Sequence, residues 1–185
     1  MYAYVYWHWP QPQAPREGYE RFLLGFHESL AAAAPEGYYG SRVLRQAERP
    51  WGDAVECYED WYYLSSFAAL ERLNDAAVEG ARRLSHDRVA AVARDAGAAG
   101  LMKLLHGRAT SPGALLQYWV SRPAGVPLDA FLADLATLEG ISAVWQRQLV
   151  LGPGKEFCIF ATQPLKLPFT WQSTSHTPEL LWSGE

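Results

Sequence analysis

The chain has 185 residues, of which 49% are hydrophobic and 19% charged, a balance typical of a folded globular protein. A formal net charge of -4 leaves no broad basic surface, which argues against nucleic acid as a partner. No stretch approaches the ~20 apolar residues of a membrane span. Two cysteines are too few for a disulfide framework and favour a cytoplasmic protein with reduced thiols.

The first third of the chain predicts a strand, a helix and two further strands. Residues 2–9 alternate in character along an extended chain, and prolines from Pro10 onward end the strand. Apolar residues at helical spacing over 19–30 predict an amphipathic helix. The runs 38–46 and 54–64 then predict two strands joined by a turn.

A second helical region and a short strand follow. Ser65 or Ser66 is placed to cap the first helix of this region. Ser85 is placed to cap a shorter helix after it. The apolar run 101–106 predicts a short strand, which completes the order β-α-β-β-α-β.

The remaining residues repeat part of this order. A strand is predicted over 114–122, and Pro127 lies near the start of an amphipathic helix. The runs 141–151 and 156–162 predict a hairpin. Residues 164–185 show no periodicity and predict a tail on the protein surface.

Matched features in the two halves indicate an internal repeat. Tyr6-Trp7 and Tyr118-Trp119 each precede a proline and a helix, and Cys57 and Cys158 lie in corresponding strands. The helices cover only one face of each small sheet, so the other face must be buried by something else. The predicted fold is therefore α+β, with two tandem ferredoxin-like units packed sheet to sheet as an α/β barrel.

This arrangement gives three segments: a first unit over 1–112, a second and shortened unit over 113–163, and the tail over 164–185. The two Tyr-Trp strands, the two helices and the two cysteine strands resemble the dimeric α/β-barrel superfamily in its tandem, single-chain form. The resemblance implies a barrel, and it implies an activity among those of the superfamily. These include cofactor-free monooxygenases, lactone-forming isomerases and haem-binding enzymes.

The face of the first strand that carries Tyr4, Tyr6 and His8 is the predicted site. An imidazole can act as a base near neutral pH, and phenols can hold a substrate oxygen by hydrogen bonds. If this face points into the barrel, Tyr118 from the matching strand should line the same pocket. Arg147 is a further candidate ligand-binding residue. The alternative is that the tyrosines only pack, with their hydroxyls in water.

Three acids lie close together in the strand that begins near residue 54. Glu56 and Asp60 share one face of it, and Asp60 is a candidate catalytic group because burial shifts the pKa of paired carboxylates. The alternative is that these acids lie on a solvent-exposed face or pair with nearby arginines, such as Arg42 or Arg45 across the hairpin.

These observations leave three functional hypotheses open. The first is a small cofactor-free enzyme, an oxygenase or isomerase, that acts on an apolar or aromatic small molecule in the barrel. The second is a non-catalytic barrel filled by its own aromatic side chains. The third is a haem enzyme with His106 or His176 as ligand. No two histidines have metal-ligand spacing. We therefore expect no metal or other cofactor, and a monomer or homodimer.

Overall fold

The structure is a computed structural model that describes residues 1–52, 54–94, 97–109 and 116–184. Within these ranges the chain forms nine strands and four helices. In chain order they are β1 Tyr2–His8, α1 Arg16–Ala32, β2 Tyr38–Gln46, β3 Cys57–Leu64, α2 Phe67–Ala77, α3 Gly80–Ala90, β4 Ala98–Gly107, β5 Leu116–Ser121, α4 Leu128–Ala136, β6 Ile141–Arg147, β7 Phe157–Ala161, β8 Gln172–His176 and β9 Glu179–Gly184.

All nine strands belong to one curled antiparallel sheet, in the order β8-β5-β7-β6-β4-β1-β3-β2-β9. The α+β prediction is thus confirmed, with a continuous half-barrel in place of two separate sheets. Strands β4-β1-β3-β2 and strands β8-β5-β7-β6 have the same relative order, which agrees with the matched features of the two halves. The predicted boundary at 112/113 lies outside the described residues.

The inner face of the curled sheet is packed with indole rings from both halves. Trp7 lies 5.6 Å from Trp119, and Trp61 lies 5.3 Å from Trp145, measured between ring centroids. All four rings belong to one buried cluster. Large aromatic side chains bury most of their area at such contacts, so the concave side of the sheet forms a packed core.

Helices α1, α2 and α3 cover the outer face of the first half, and α4 covers the outer face of the second half. Ser66 caps α2 by accepting a hydrogen bond from the Ala69 N–H at 3.3 Å, as the sequence predicts. The helix predicted to open at Ser85 instead begins at Gly80, with Glu79 at its N-cap position. None of the helices in the described ranges is long and apolar enough to cross a membrane.

The prediction of a surface tail without regular structure was wrong, because half of residues 164–185 form strands. β8 pairs with β5 at one end of the sheet, and β9 pairs with β2 at the other end. Only Thr177 and Pro178 separate the two strands. Three Cα steps of about 3.8 Å span at most about 11 Å. The two edges of the sheet must therefore approach each other, which requires the sheet to curl.

Replacing Trp171 tests whether this side chain anchors the C-terminal segment to the rest of the protein. Trp171 is buried against Phe131 of α4, with ring centroids 4.6 Å apart. We expect Trp171→Ala to lower the free energy of unfolding by about 3–5 kcal/mol, as for other buried aromatic truncations. The control is Phe169→Ala, because Phe169 is fully exposed only two residues away. Urea unfolding followed by circular dichroism would measure both variants, and equal midpoints would contradict the anchored tail.

Candidate active site

A cavity of about 770 Å³ lies between the outer face of the first half of the sheet and helices α1, α2 and α3. Its floor is formed by β1 and β3, and its walls are mainly apolar side chains of the helices. Pockets for small molecules are typically concave and apolar, with a few polar groups brought together. This cavity has that character, with a group of polar side chains on the floor and a few more, including Glu71, Asn74 and His86, on the helices.

Strand alternation brings the predicted residues to this floor. Tyr4, Tyr6 and His8 share the outer face of β1, and Asp60 lies opposite Tyr6 in β3. The rings of Tyr4 and Tyr6 stack at 6.4 Å, and those of Tyr6 and His8 stack at 5.1 Å. Four of the six candidate site residues therefore line one cavity.

Asp60 is the centre of a buried polar cluster. Its Oδ2 atom lies 3.0 Å from His8 Nε2 and 3.2 Å from His27 Nε2, and it accepts a hydrogen bond from the Tyr62 hydroxyl at 3.0 Å. The His8 contact is an ion-pair contact that lies outside hydrogen-bond geometry. Burial raises the pKa of Asp60, but the two imidazoles outweigh it and hold that pKa well below its usual range.

The second ring nitrogen of His8 joins the cluster to α1. His8 Nδ1 is hydrogen-bonded to the hydroxyl of Tyr19, which also lines the cavity. With Nε2–H facing the Asp60 carboxylate, Nδ1 is the acceptor and the Tyr19 hydroxyl donates. Burial, followed by the charge of Asp60, raises the pKa of Tyr19 far above its ordinary value, so Tyr19 is a phenol. Tyr19, His8 and Asp60 thus form a hydroxyl–imidazole–carboxylate chain that ends at the cavity.

His27 and Tyr62 are functional candidates that the sequence reasoning missed. His27 is fully buried, and its Nδ1 is hydrogen-bonded to Ser41 Oγ at 2.7 Å. The signal was present, because His27 follows Leu23 by one helical turn and therefore shares the apolar face of α1. An imidazole on that face needs a buried partner, and Asp60 supplies it.

The predicted location between the sheets was wrong. Val5 and Trp7 point into the core, whereas Tyr4 and Tyr6 pack in the cluster beneath the helices. The physical reason is size and polarity. Flat indole rings and small aliphatic side chains fill a closed interior, while phenols keep their hydroxyls near the solvent-accessible cavity.

Tyr118 and Arg147 do not reach this cavity. Tyr118 lies on the outer face of the second half, in the cluster beneath α4, and its hydroxyl accepts the Leu165 N–H at 2.9 Å. Arg147 donates to the carbonyl oxygens of Gly152 and Gly154 and so holds the β6–β7 connection. The repeat gives Tyr6 and Tyr118 equivalent places, but equivalent outer faces lie beneath different helices.

The expected surface role of the acids holds only for Glu56, which pairs with Arg16 at 2.7 Å. Asp60 is 2% exposed and faces histidines. Arg45 contacts Glu20 and Glu179 at the sheet edge, away from Asp60. Strand position explains the difference, because Glu56 precedes β3 while Asp60 lies within it.

The arrangement of the described residues does not support a bound metal ion or haem at this cavity. Within the described residues, no three His, Cys, Asp or Glu side chains are grouped to hold a metal ion. His106 is exposed near the end of β4. His176 is the last residue of β8, and its Nδ1 atom lies 3.6 Å from Oε1 of Glu48. Neither lines the cavity. The two histidines suggested as haem ligands therefore do not fit that role at this site.

Comparisons with solved structures show similarity of fold. A crystal structure described as a "putative monooxygenase" from Fusobacterium nucleatum subsp. nucleatum ATCC 25586 has a TM-score of 0.66 and 7% identity, covering 99% of this chain and 94% of that one. Another "putative monooxygenase", from Lactobacillus acidophilus NCFM, has a TM-score of 0.57 and 9% identity, covering 99% and 95%.

A structure described as an anthrone oxidase-like protein has a TM-score of 0.51 and 12% identity, covering 98% of this chain and 92% of that one. No family model matches the sequence, and no curated protein is significantly similar to it. At these identities the similarity shows the fold alone.

Acid unfolding tests the charge on Asp60. Its pKa is lowered in the folded state. The stabilisation is therefore present above the unfolded-state pKa of about 3.9 and is lost as the pH falls toward the folded-state value. We expect the free energy of unfolding of the wild type to fall more steeply than that of Asp60→Asn between about pH 5 and pH 2.

At neutral pH we expect Asp60→Asn to be about 3–5 kcal/mol less stable than the wild type, because it leaves buried partners unpaired. The control is Glu56→Gln, which removes a half-exposed pair and should cost about 0–1 kcal/mol. Urea unfolding across a pH series would measure all three proteins. Parallel pH profiles for the wild type and Asp60→Asn would contradict an ionised Asp60 in the folded protein.

Proposed function

We propose that this protein is a small oxygenase-type enzyme that acts on an apolar aromatic molecule without a resident cofactor. The observation that carries the proposal is the Tyr19–His8–Asp60 chain, which ends at an apolar cavity large enough for a substrate. The names of the neighbouring structures agree with this choice. We further propose that the two halves are tandem ferredoxin-like units of the dimeric α/β-barrel type.

The cavity can hold a planar ring system. Stacked Tyr4 and Tyr6 offer a flat aromatic surface on the floor, and Leu23, Phe26 and Leu73 supply apolar contacts from the helices. Burial, with Asp60 as a further cause, raises the pKa values of Tyr4 and Tyr6. Both remain phenols and can donate a hydrogen bond to a substrate oxygen.

The hydroxyl–imidazole–carboxylate chain can accept a proton from the bound molecule. A proton that leaves an activated C–H or O–H passes to the Tyr19 oxygen while the Tyr19 proton passes to His8 Nδ1. Asp60 then stabilises the imidazolium, as the carboxylate does in a Ser-His-Asp triad. His27, Ser41 and Tyr62 are positioning residues, because they hold Asp60 in place.

The carbanion or enolate left by this step can react with dioxygen itself. For a reactive methylene group, one oxygen atom becomes the product carbonyl, and the other leaves as water with the two methylene hydrogens. Dioxygen is thus the only oxidant that the reaction requires. An isomerase would use the same proton transfer and then return the proton to another atom, so oxygen consumption separates the two reactions.

The non-catalytic alternative receives support for the barrel interior but not for the cavity. The interior is filled by the protein's own indole rings, as that hypothesis expects. The cavity on the outer face is a separate space with its own polar cluster. A purely structural role would leave this cluster without a chemical purpose.

Tyr19→Phe is the sharpest test, because it removes one hydroxyl and keeps the ring. With anthrone as probe, oxygen consumption and anthraquinone formation would be measured above the uncatalysed rate. We expect Tyr19→Phe and His8→Gln each to lower kcat by about 10²–10⁴-fold, the usual range for acid–base catalysis. The double variant should be little worse than either single variant, since the two groups act as one unit.

Two controls accompany this experiment. Tyr58 packs 5.0 Å from Tyr19 and 5.8 Å from His8, yet it is absent from the cavity lining. Tyr58→Phe should therefore keep most of the activity, and His106→Gln should keep all of it. Activity of Tyr19→Phe equal to that of Tyr58→Phe would refute the proposed proton path. Turnover without oxygen uptake would favour the isomerase.

A further inference from the structure

Glu59 is a second buried carboxylate, and the proposed proton path does not use it. It is fully buried and lies on the inner face of β3, opposite to Asp60. Its Oε2 accepts the indole N–H of Trp7 at 2.7 Å, and its Oε1 accepts that of Trp61 at 2.5 Å. Gln117 and Gln46 add amide N–H donors at 2.5 Å and 3.4 Å.

The donor set fixes the ground state of Glu59 as a carboxylate. All four partners donate, and the free acceptor of Gln117 is already used by Gln46 Nε2 at 2.6 Å. A proton on Glu59 would have to displace one of these donors. Burial nevertheless raises the pKa of Glu59 by more than the hydrogen bonds from Trp61, Trp7, Gln117 and Gln46 lower it. Glu59 is therefore a stronger base than an exposed carboxylate, and donors contact both of its oxygen atoms.

Loss of one electron from an indole would release a proton to this carboxylate. A neutral indole is a very weak acid, but its radical cation is far more acidic, about as acidic as a carboxylic acid. When Trp7 gives an electron to a one-electron oxidant, its N–H bond breaks and an O–H bond forms on Glu59. The products are a neutral indolyl radical and a carboxylic acid. The buried charge of the pair changes from minus one to zero, which the low dielectric of the core favours.

We propose that Trp7, Glu59 and Trp61 form a redox site in which one-electron oxidation of an indole is coupled to proton transfer to Glu59. The oxidant is an organic or oxygen-centred radical. This inference goes beyond the proposed function and requires no substrate. The site adjoins the proposed proton path. Trp7 directly precedes His8 in β1, and its register partner Glu59 directly precedes Asp60 in β3.

Neighbouring indoles give the oxidised state a path for migration. Trp7 lies 5.5 Å from the half-buried Trp51 and 5.6 Å from Trp119, and Trp61 lies 5.3 Å from Trp145, between ring centroids. An electron vacancy that reaches the core can therefore pass between rings. It is trapped at the indole whose N–H proton can move to Glu59. A site of this kind would remove oxidising equivalents that escape from oxygen chemistry in the cavity.

Trp119 and Trp145 are matched controls. They are as deeply buried as Trp7 and Trp61, and they belong to the same aromatic cluster. Their Nε1 atoms have no hydrogen-bond partner among the described residues. Oxidation of these two rings would give radical cations that cannot pass their protons to a carboxylate.

The test uses full-length protein and photogenerated tris(bipyridine)ruthenium(III) as oxidant. Transient absorption and electron paramagnetic resonance distinguish the neutral radical from the radical cation. We expect the neutral radical in the wild type. In Glu59→Gln we expect the yield of neutral radical to fall by about tenfold or more, because a charged proton acceptor is lost. The pair Trp119→Phe and Trp145→Phe should leave the yield within about twofold of the wild type. The pair Trp7→Phe and Trp61→Phe should reduce it as Glu59→Gln does.

Two results would overturn the proposal. One is a Glu59→Gln variant that has the circular dichroism spectrum of the wild type and also gives the same yield of neutral radical. The other is an equal loss from the Trp119/Trp145 pair and the Trp7/Trp61 pair. If Glu59→Gln does not fold, time-resolved infrared spectroscopy of the wild type decides. The C=O band of a protonated buried carboxyl must rise with the radical, and its absence refutes the site. None of these readouts depends on anthrone turnover.

Discussion

Alternation along β3 is the constraint on which the rest of the structure depends, because it buries two adjacent carboxylates on opposite faces of one strand. Glu59 points inward and Asp60 points outward. A buried carboxylate without partners costs several kcal/mol, so each face must supply its own donors. The outer face supplies imidazoles and a phenol, and the inner face supplies indoles and amides. Helix α1 must therefore bring His27 to the outer face.

The inner carboxylate also joins the two halves of the sheet. Gln117 belongs to β5 in the second half, yet it donates to Glu59 in β3 and accepts from Gln46 in β2. The burial of apolar surface is non-directional, so many relative placements of the two halves would bury similar areas. The hydrogen bonds to the Glu59 carboxylate are compatible with few of these placements, because a shift of one half against the other leaves the buried group with fewer donors. The polar contact thus selects one register within an aromatic core.

Local periodicity in the sequence predicts most of the elements and the shared face of Tyr4, Tyr6 and His8, because a period of two is a property of each strand alone. It does not fix the face of Asp60, which lies in another strand. It does not predict which face turns inward, since both faces of β1 carry aromatic rings. That choice depends on packing against the second half. The strands of the tail were missed for a related reason. β8 is a polar edge strand, mostly exposed, and therefore lacks the alternation that reveals a strand.

Burial raises the pKa of both carboxylates, but their net pKa shifts are opposite because their partners differ. Asp60 faces two imidazoles, whose effect outweighs burial, so its pKa is lowered. Burial raises the pKa of Glu59, and the hydrogen bonds from uncharged indoles and amides offset that rise only in part. Asp60 therefore stabilises a proton held by a neighbour, whereas Glu59 is the stronger base of the two carboxylates. One strand thus presents a proton-holding site to the cavity and a proton-accepting site to the core.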